Sequence, residues 1–222
     1  MQRLVLGIAM ALVVAACGGS AATAGPATGS PAPSALPAGT YTSKVFAPAT
    51  TFTVPDGWVL AADDPTYLGL HPVATDVIGL HLFRDPVAES QDKTCPATAE
   101  PGIGKDSLAL LAWMRSLKGL VVSTPSLVTI GGLSGSSVDI GIAADWTQSC
   151  PFANGLPTVP LIKNTDIDRW VIAGDERLRL FLLDAPGGGT VVVDIDAFDG
   201  TQISALISAA TPIVKSLQFA TK

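Results

Sequence analysis

Histidine is nearly absent from this chain. His71 and His81 are the only two in 222 residues. Cysteine occurs three times, as Cys17, Cys95 and Cys150, and neither of the last two has a Cys or His nearby at ligand spacing. That argues against a zinc site of the usual thiolate and imidazole kind. Charge is scarce as well: 14% of residues carry one, and the formal net charge is −6. An acidic chain with few cations is a poor ligand for nucleic acid or for an anionic surface. No apolar run reaches the roughly 20 residues that a membrane-spanning helix needs. No internal repeat is visible.

The apolar run that does exist is short and N-terminal. Arg3 precedes Leu4 to Val14, and Ala15, Ala16 and Cys17 follow. A basic start, a short apolar stretch and small residues at its end make a secretory signal. Val14-Ala15-Ala16-Cys17 resembles the lipobox of bacterial lipoproteins. That resemblance implies cleavage before Cys17 and a diacylglyceryl cysteine, often with palmitate. The alternative is ordinary secretion with a free thiol at the new N-terminus. Two or more acyl chains hold a protein stably on a membrane, whereas one does so marginally. Residues 1–16 are thus expected to be a signal peptide. Residues 17–40 follow as the anchor cysteine and a disordered Gly, Ala, Pro, Ser and Thr tether that carries no charge. Its reach is about 25 Å if it behaves as a flexible coil. Residues 41–222 form one globular domain, a length that can bury a core.

With Cys17 lipidated, Cys95 and Cys150 remain, and two cysteines in an exported chain favour a disulfide over two free thiols. The bridge would join two long irregular segments, Asp85 to Lys105 and Ala144 to Pro160. Between and around them the chain alternates with period 2. Leu68, Leu70, Ile78, Leu80 and Leu82 take one face of a hairpin, and Val191, Val193 and Ile195 take one face of a later strand. A helix is expected from Asp106-Ser107 to about Lys118, with Leu108, Leu110, Leu111, Met114 and Leu117 inward. A second should start near Thr201, with a kink or restart at Pro212. Short hairpin turns such as Gly131-Gly132 and Pro186 to Gly189 imply a largely antiparallel sheet. The fold class is α+β with two main helices.

Phe52-Thr53-Val54-Pro55-Asp56-Gly57-Trp58 and Ile213-Val214-Lys215-Ser216-Leu217-Gln218-Phe219 resemble the bounding motifs of PsbP-like domains. These are α-β-α sandwiches that include an extrinsic photosystem II subunit and many bacterial lipoproteins. The resemblance implies that architecture and a non-enzymatic accessory or binding role. Its motifs are structural, so no functional residue is carried over.

Chemistry-bearing patterns are few. Gly132-Leu133-Ser134-Gly135-Ser136 has Ser136 where the nucleophile elbow needs glycine, and it joins two strands. Asp194 to Gly200 breaks calcium-loop spacing at Phe198. Asp194 and Asp196 share a strand face, and solvent exposure accounts for them. A hairpin with 71 opposite 77 puts the histidines about 13 Å apart, too far to share a metal. Arg177, Arg179 and Arg169 read as neutralised surface or as an anion site. The stapled loops carry Trp146, Phe152 and Asn154. They form a candidate partner-binding surface, or else the aromatics merely plug the sheet end. The expectation is therefore an extracytoplasmic lipoprotein on the cell membrane that is not an enzyme and needs no cofactor. It would bind another cell-envelope protein or component and no nucleic acid. A hydrolase, or a binder of an ion, sugar or peptide, is the alternative.

Overall fold

A computed structural model describes residues 35–75, 78–185 and 187–220. Cys17 and the signal segment 1–16 lie outside the described residues. In the first half of the chain the strands are β1 (Ala35–Leu36), β2 (Gly39–Thr42), β3 (Thr50–Val54), β4 (Trp58–Asp63), β5 (Tyr67–Pro72), β6 (Ile78–Arg84) and β7 (Val87–Ala88). Helix α1 (Ser107–Ser116) precedes β8 (Leu120–Val122), β9 (Ser126–Ile130) and β10 (Leu133–Ile142). Then come β11 (Thr158–Lys163), β12 (Trp170–Ala173), β13 (Arg177–Asp184), β14 (Thr190–Ala197), α2 (Ile203–Ser216) and β15 (Gln218–Phe219). Regular structure thus begins before residue 41: Ala35 and Leu36, assigned above to the tether, pair with Val59 and Trp58.

Nine strands make the main sheet, in the order β1-β4-β5-β6-β14-β13-β10-β8, with β9 also on β10. Every pairing in it is antiparallel. Two three-stranded sheets, β12-β11-β7 and β15-β3-β2, complete the fold. The architecture is α+β as expected, with one helix on each face of the main sheet. Leu68, Leu70, Leu80, Leu82, Val191, Val193 and Ile195 pack with Leu206, Ala210, Ile213 and Val214 of α2. Val138, Ile140, Leu178, Leu180, Leu182 and Val192 pack with Leu110 and Met114 of α1, and with Val159, Leu161 and Ile172 of the β11–β12 layer.

Local chemistry sets the ends of the elements. Asp106 caps α1, its side chain accepting from the Ala109 N–H. The buried side of α1 holds Leu110, Leu111, Trp113 and Met114, whereas Leu108 is 70% exposed. The expected face was rotated because Trp113 takes the inward place. Helix α2 runs through Pro212 without restarting. Gly131 and Gly132, both at positive φ, close the β9–β10 hairpin, where other residues would be strained. No helix among the described residues is long and apolar enough to cross a membrane.

Candidate functional site

The largest concentration of titratable groups lies inside the domain. Strand β14 sits mid-sheet, and all eight of its residues are buried. Asp194 is 0% exposed and Asp196 6%. The expectation that these two carboxylates face solvent is wrong. Alternation along β14 does not separate core from water, because the β11–β12 layer covers the face that would otherwise be wet.

The register brings the partners in. Gly69 pairs with His81 and His81 with Asp194, while Gly79 pairs with Asp196. The Tyr67 hydroxyl meets His81 Nδ1 at 2.8 Å, and His81 Nε2 meets Asp196 Oδ1 at 3.0 Å. Asp196 Oδ1 also accepts from the Gly79 N–H at 3.0 Å. Trp170 Nε1 donates to Asp194 Oδ2 at 2.7 Å. Glu176 bonds Asp196 side chain to side chain, and its Oε2 accepts from the Ala173 N–H at 2.8 Å. Glycine makes the space: a Cβ at Gly69 would lie 2.8 Å from the Tyr67 oxygen, and one at Gly79 would lie 2.6 Å from His81 Nε2. Trp170 roofs the cluster, with its ring 4.6 Å from His81 and 4.9 Å from Phe83.

Burial governs the electrostatics. Desolvation pushes the Glu176 carboxyl up to about 8, and the Asp196 charge adds to it. Desolvation and Asp196 also raise the Asp194 carboxyl well above its ordinary range. Burial and the same two aspartates raise the Tyr67 phenol, which stays protonated. The arrangement that satisfies all three groups has Tyr67 donating to Nδ1 and Nε2–H donating to Asp196. His81 is thereby tied at both nitrogens, with a side chain 14% exposed. Sequence reasoning missed this cluster because its members come from five separate segments. The available signal was Gly69 and Gly79 beside aromatic neighbours on adjacent strands.

The stapled loops form a second region. Cys95 and Cys150 are bonded, as the cysteine count implied. Arg169 ties the two loops: it donates to the Cys95 carbonyl at 3.0 Å, lies 3.7 Å from Glu89 Oε1 and stacks 4.2 Å over the Phe152 ring. Glu89 is wholly buried, and desolvation raises it to about 7 against the pull of Arg169 and Lys163. The three candidate contact residues diverge. Trp146 turns inward: Nε1 donates to the Thr158 carbonyl at 3.0 Å, and its ring fills the space over Gly119. Asn154 is exposed at φ 52, a turn residue. Phe152 is exposed, as are Leu156 and Phe198. Leu156 and Phe198 line an open cavity of about 450 Å³ with Pro157, Gly174, Asp175 and Asp199.

The remaining patterns resolve into structure. The three arginines do not converge. Arg179 forks onto Asp139 at 2.6 and 2.8 Å, Arg177 donates to its neighbours' carbonyls, and Arg169 belongs to the stapled loops. Asp199 caps Thr201. His71 contacts the Pro72 carbonyl. The β5–β6 register differs by two residues from the expected one, with His81 opposite Gly69, yet the two histidines have separate partners. Among the described residues no group of His, Cys, Asp and Glu could hold a metal ion.

No family model matches the chain, and no curated protein does. Solved structures do resemble it. A protein from Bacteroides thetaiotaomicron is 10% identical with a TM-score of 0.35, over 78% of this chain and 46% of that one. This chain therefore spans less than half of that protein's length. Cyanobacterial PsbP from Synechocystis is 9% identical with a TM-score of 0.39, over 83% of this chain and 95% of that one. LpqN of Mycobacterium tuberculosis, described as involved in cell envelope biogenesis, is 14% identical with a TM-score of 0.41, over 85% and 90%. At such identities and scores the likeness is one of general element arrangement.

Proposed function

We propose that this chain is a lipid-anchored, extracytoplasmic binding module that breaks no bond and contacts another component of the cell envelope. One observation carries the non-enzymatic reading. Five side chains able to do acid–base work, His81, Asp194, Asp196, Glu176 and Tyr67, are bonded to one another or to Trp170 in the interior. A catalytic base must reach a proton on its substrate, and these spend their reach on each other. The anchor rests on Arg3, the apolar run to Val14 and the small residues before Cys17.

The contact surface is the stapled end of the domain, carried by Phe152, Leu156 and Phe198. The bridge and Arg169 hold it rigid, and rigid apolar anchors lose little entropy on binding. Trp146 supports these loops from within, and Asn154 shapes their exposed turn. Cross-linking of the anchored chain followed by pull-down identifies the partner. Phe198→Ala and Phe152→Ala should then weaken capture about thirtyfold or more, as expected when a binding anchor is truncated. Their melting temperature should hold, whereas Trp146→Ala should lower it and spare capture. Cys17→Ser should release the chain from membranes. Capture that survives both Phe substitutions would remove the stapled end from the site. Turnover of a substrate, lost with one polar substitution, would overturn the non-enzymatic reading.

A further inference from the structure

Strand β13 carries two arginines on one face, Arg177 and Arg179, and β10 answers them differently. The register sets Asp139 opposite Arg179 and Gly141 opposite Arg177. Both pairs share a face of the sheet, because residues two apart on a strand point the same way. In the first pair Arg179 forks onto Asp139: Nε and Nη2 donate to its two oxygens at 2.6 and 2.8 Å. In the second pair the position that would supply such a carboxylate is a glycine. Arg177 lies across it, and a Cβ at Gly141 would stand 3.0 Å from Arg177 Cδ and Nε. Arg177 spends Nη1 on the Asp175 and Glu176 carbonyls, at 3.3 and 2.8 Å. Among the described residues no carboxylate pairs with it, and no hydrogen bond uses its Nε or Nη2.

This guanidinium stands in an open cavity of about 480 Å³ at the flank of α2. Small-molecule sites run from roughly 300 to 1,000 Å³. Val121 pairs with Gly141 on its other side, lines one wall and is 61% exposed. Ile203 and Ile207 of α2, both half-buried, line the opposite wall. The charged residues of the lining are Arg177, Arg179 and Asp139, two cations and one anion. The cavity is therefore net positive in a chain whose net charge is −6. None of Phe152, Leu156 and Phe198 lines it, so it does not rest on the contact surface assigned above.

We infer that this cavity binds a small monocarboxylate with an apolar body. Its carboxylate lies on the Nε–Nη2 edge of Arg177, and its body lies between Val121 and the two isoleucines. The neighbouring pair supplies the geometry, since the ligand does for Arg177 what Asp139 does for Arg179. A planar guanidinium edge matches two carboxylate oxygens at once. Charge selects a single negative charge on the ligand. A phosphate monoester carries nearly two at neutral pH, and the cavity has one cation left over. The walls select the body, because apolar surface gains by leaving water and a bare anion would not cover it.

The test is a titration of the full chain, labelled with nitrogen-15, with octanoate below its micelle-forming concentration. Saturable amide shifts are expected at Val121, Gly141 and Ile203. Octanol has the body without the charge, and acetate has the charge without the body. Each should bind at least about tenfold more weakly than octanoate. Octyl phosphate should bind no more tightly than octanoate. Arg177→Gln should weaken octanoate at least about tenfold, since charge-assisted bonds are lost. Amide positions far from the cavity should stay as in wild type. Gly141→Asp should weaken it as much, by giving Arg177 an internal carboxylate, and the exposed arginine can swing aside for the new Cβ. Either variant decides the matter if the other fails to fold. Absent shifts at the cavity, octanol or acetate equal to octanoate, tighter octyl phosphate, or affinity that survives either substitution would overturn the inference.

Discussion

Replacing Glu176 by Gln should make this protein more stable at neutral pH, by an amount that grows with pH. Glu176 is 6% exposed, and its carboxyl is pushed up to about 8 by burial and by Asp196. In the unfolded chain a Glu titrates near 4.3. Between those values the native state holds a proton that the unfolded state has released. Stability then falls as pH rises, by about 1.4 kcal/mol per pH unit at full difference. Below about pH 4 both states are protonated and the group contributes no slope. Above about pH 8 both are ionised and the loss is complete. From pH 5 to pH 7 the loss is about 2–3 kcal/mol. Gln keeps the bonding pattern: its oxygen accepts from the Ala173 N–H, and its amide donates to Asp196 as the protonated carboxyl does. It carries no charge to desolvate. Urea unfolding of both proteins from pH 4 to pH 8 gives the answer. The curves should coincide near pH 4, and Glu176→Gln should lead by about 3–4 kcal/mol at pH 7 with an unchanged denaturant slope. Burial and Asp196, the leading causes of the Asp194 shift, are present in both proteins, so the difference reports Glu176 together with its smaller effect on Asp194. Parallel profiles, or a variant less stable at pH 7, would refute the placement of a protonated carboxyl there.

Two further outcomes follow from the stapled end. Cys95 and Cys150 are 55 residues apart in sequence, and replacing both by Ser should lower the unfolding free energy by up to about 4 kcal/mol on the loop-entropy model, read from urea melts. Arg169→Ala removes the cation beside buried Glu89 and the donor to the Cys95 carbonyl. It should cost about 2–3 kcal/mol at pH 8 and less at pH 5, where Glu89 takes up a proton; thermal melts at the two pH values separate these.

Elements that alternate or turn sharply were legible in the sequence. The strands around Leu80 and Val193, the Gly131-Gly132 hairpin and both helices lie where periodicity and turn chemistry place them. So does the bond between the two remaining cysteines. What pattern does not encode is the order of strands across the sheet. Asp194 and Asp196 alternate with valine and isoleucine as edge residues would, yet β14 is central and the β11–β12 layer closes over it. The strands β1, β4, β7 and β8 carry too little alternation to be read and escaped notice. The internal cluster was hidden because Tyr67, His81, Trp170, Glu176 and Asp196 meet only through register. Among the loop residues, composition could not say that Trp146 faces in while Phe152 faces out.

The place of β14 also orders events in time. As the chain is made from its N-terminus, β4, β5 and β6 can pair as successive hairpins, and later β10 can pair with β13. Within the main sheet the two parts cannot pair until Thr190–Ala197 has emerged, because there that strand alone bridges β6 and β13. Its pairing with β6 spans more than a hundred residues, as Asp194 opposite His81 shows. Such distant closure is slow relative to the local steps before it. In a chain halted before residue 190 the main sheet is therefore two unfinished parts, linked outside it through β7–β11 and the disulfide, each presenting a strand that waits for the same missing neighbour.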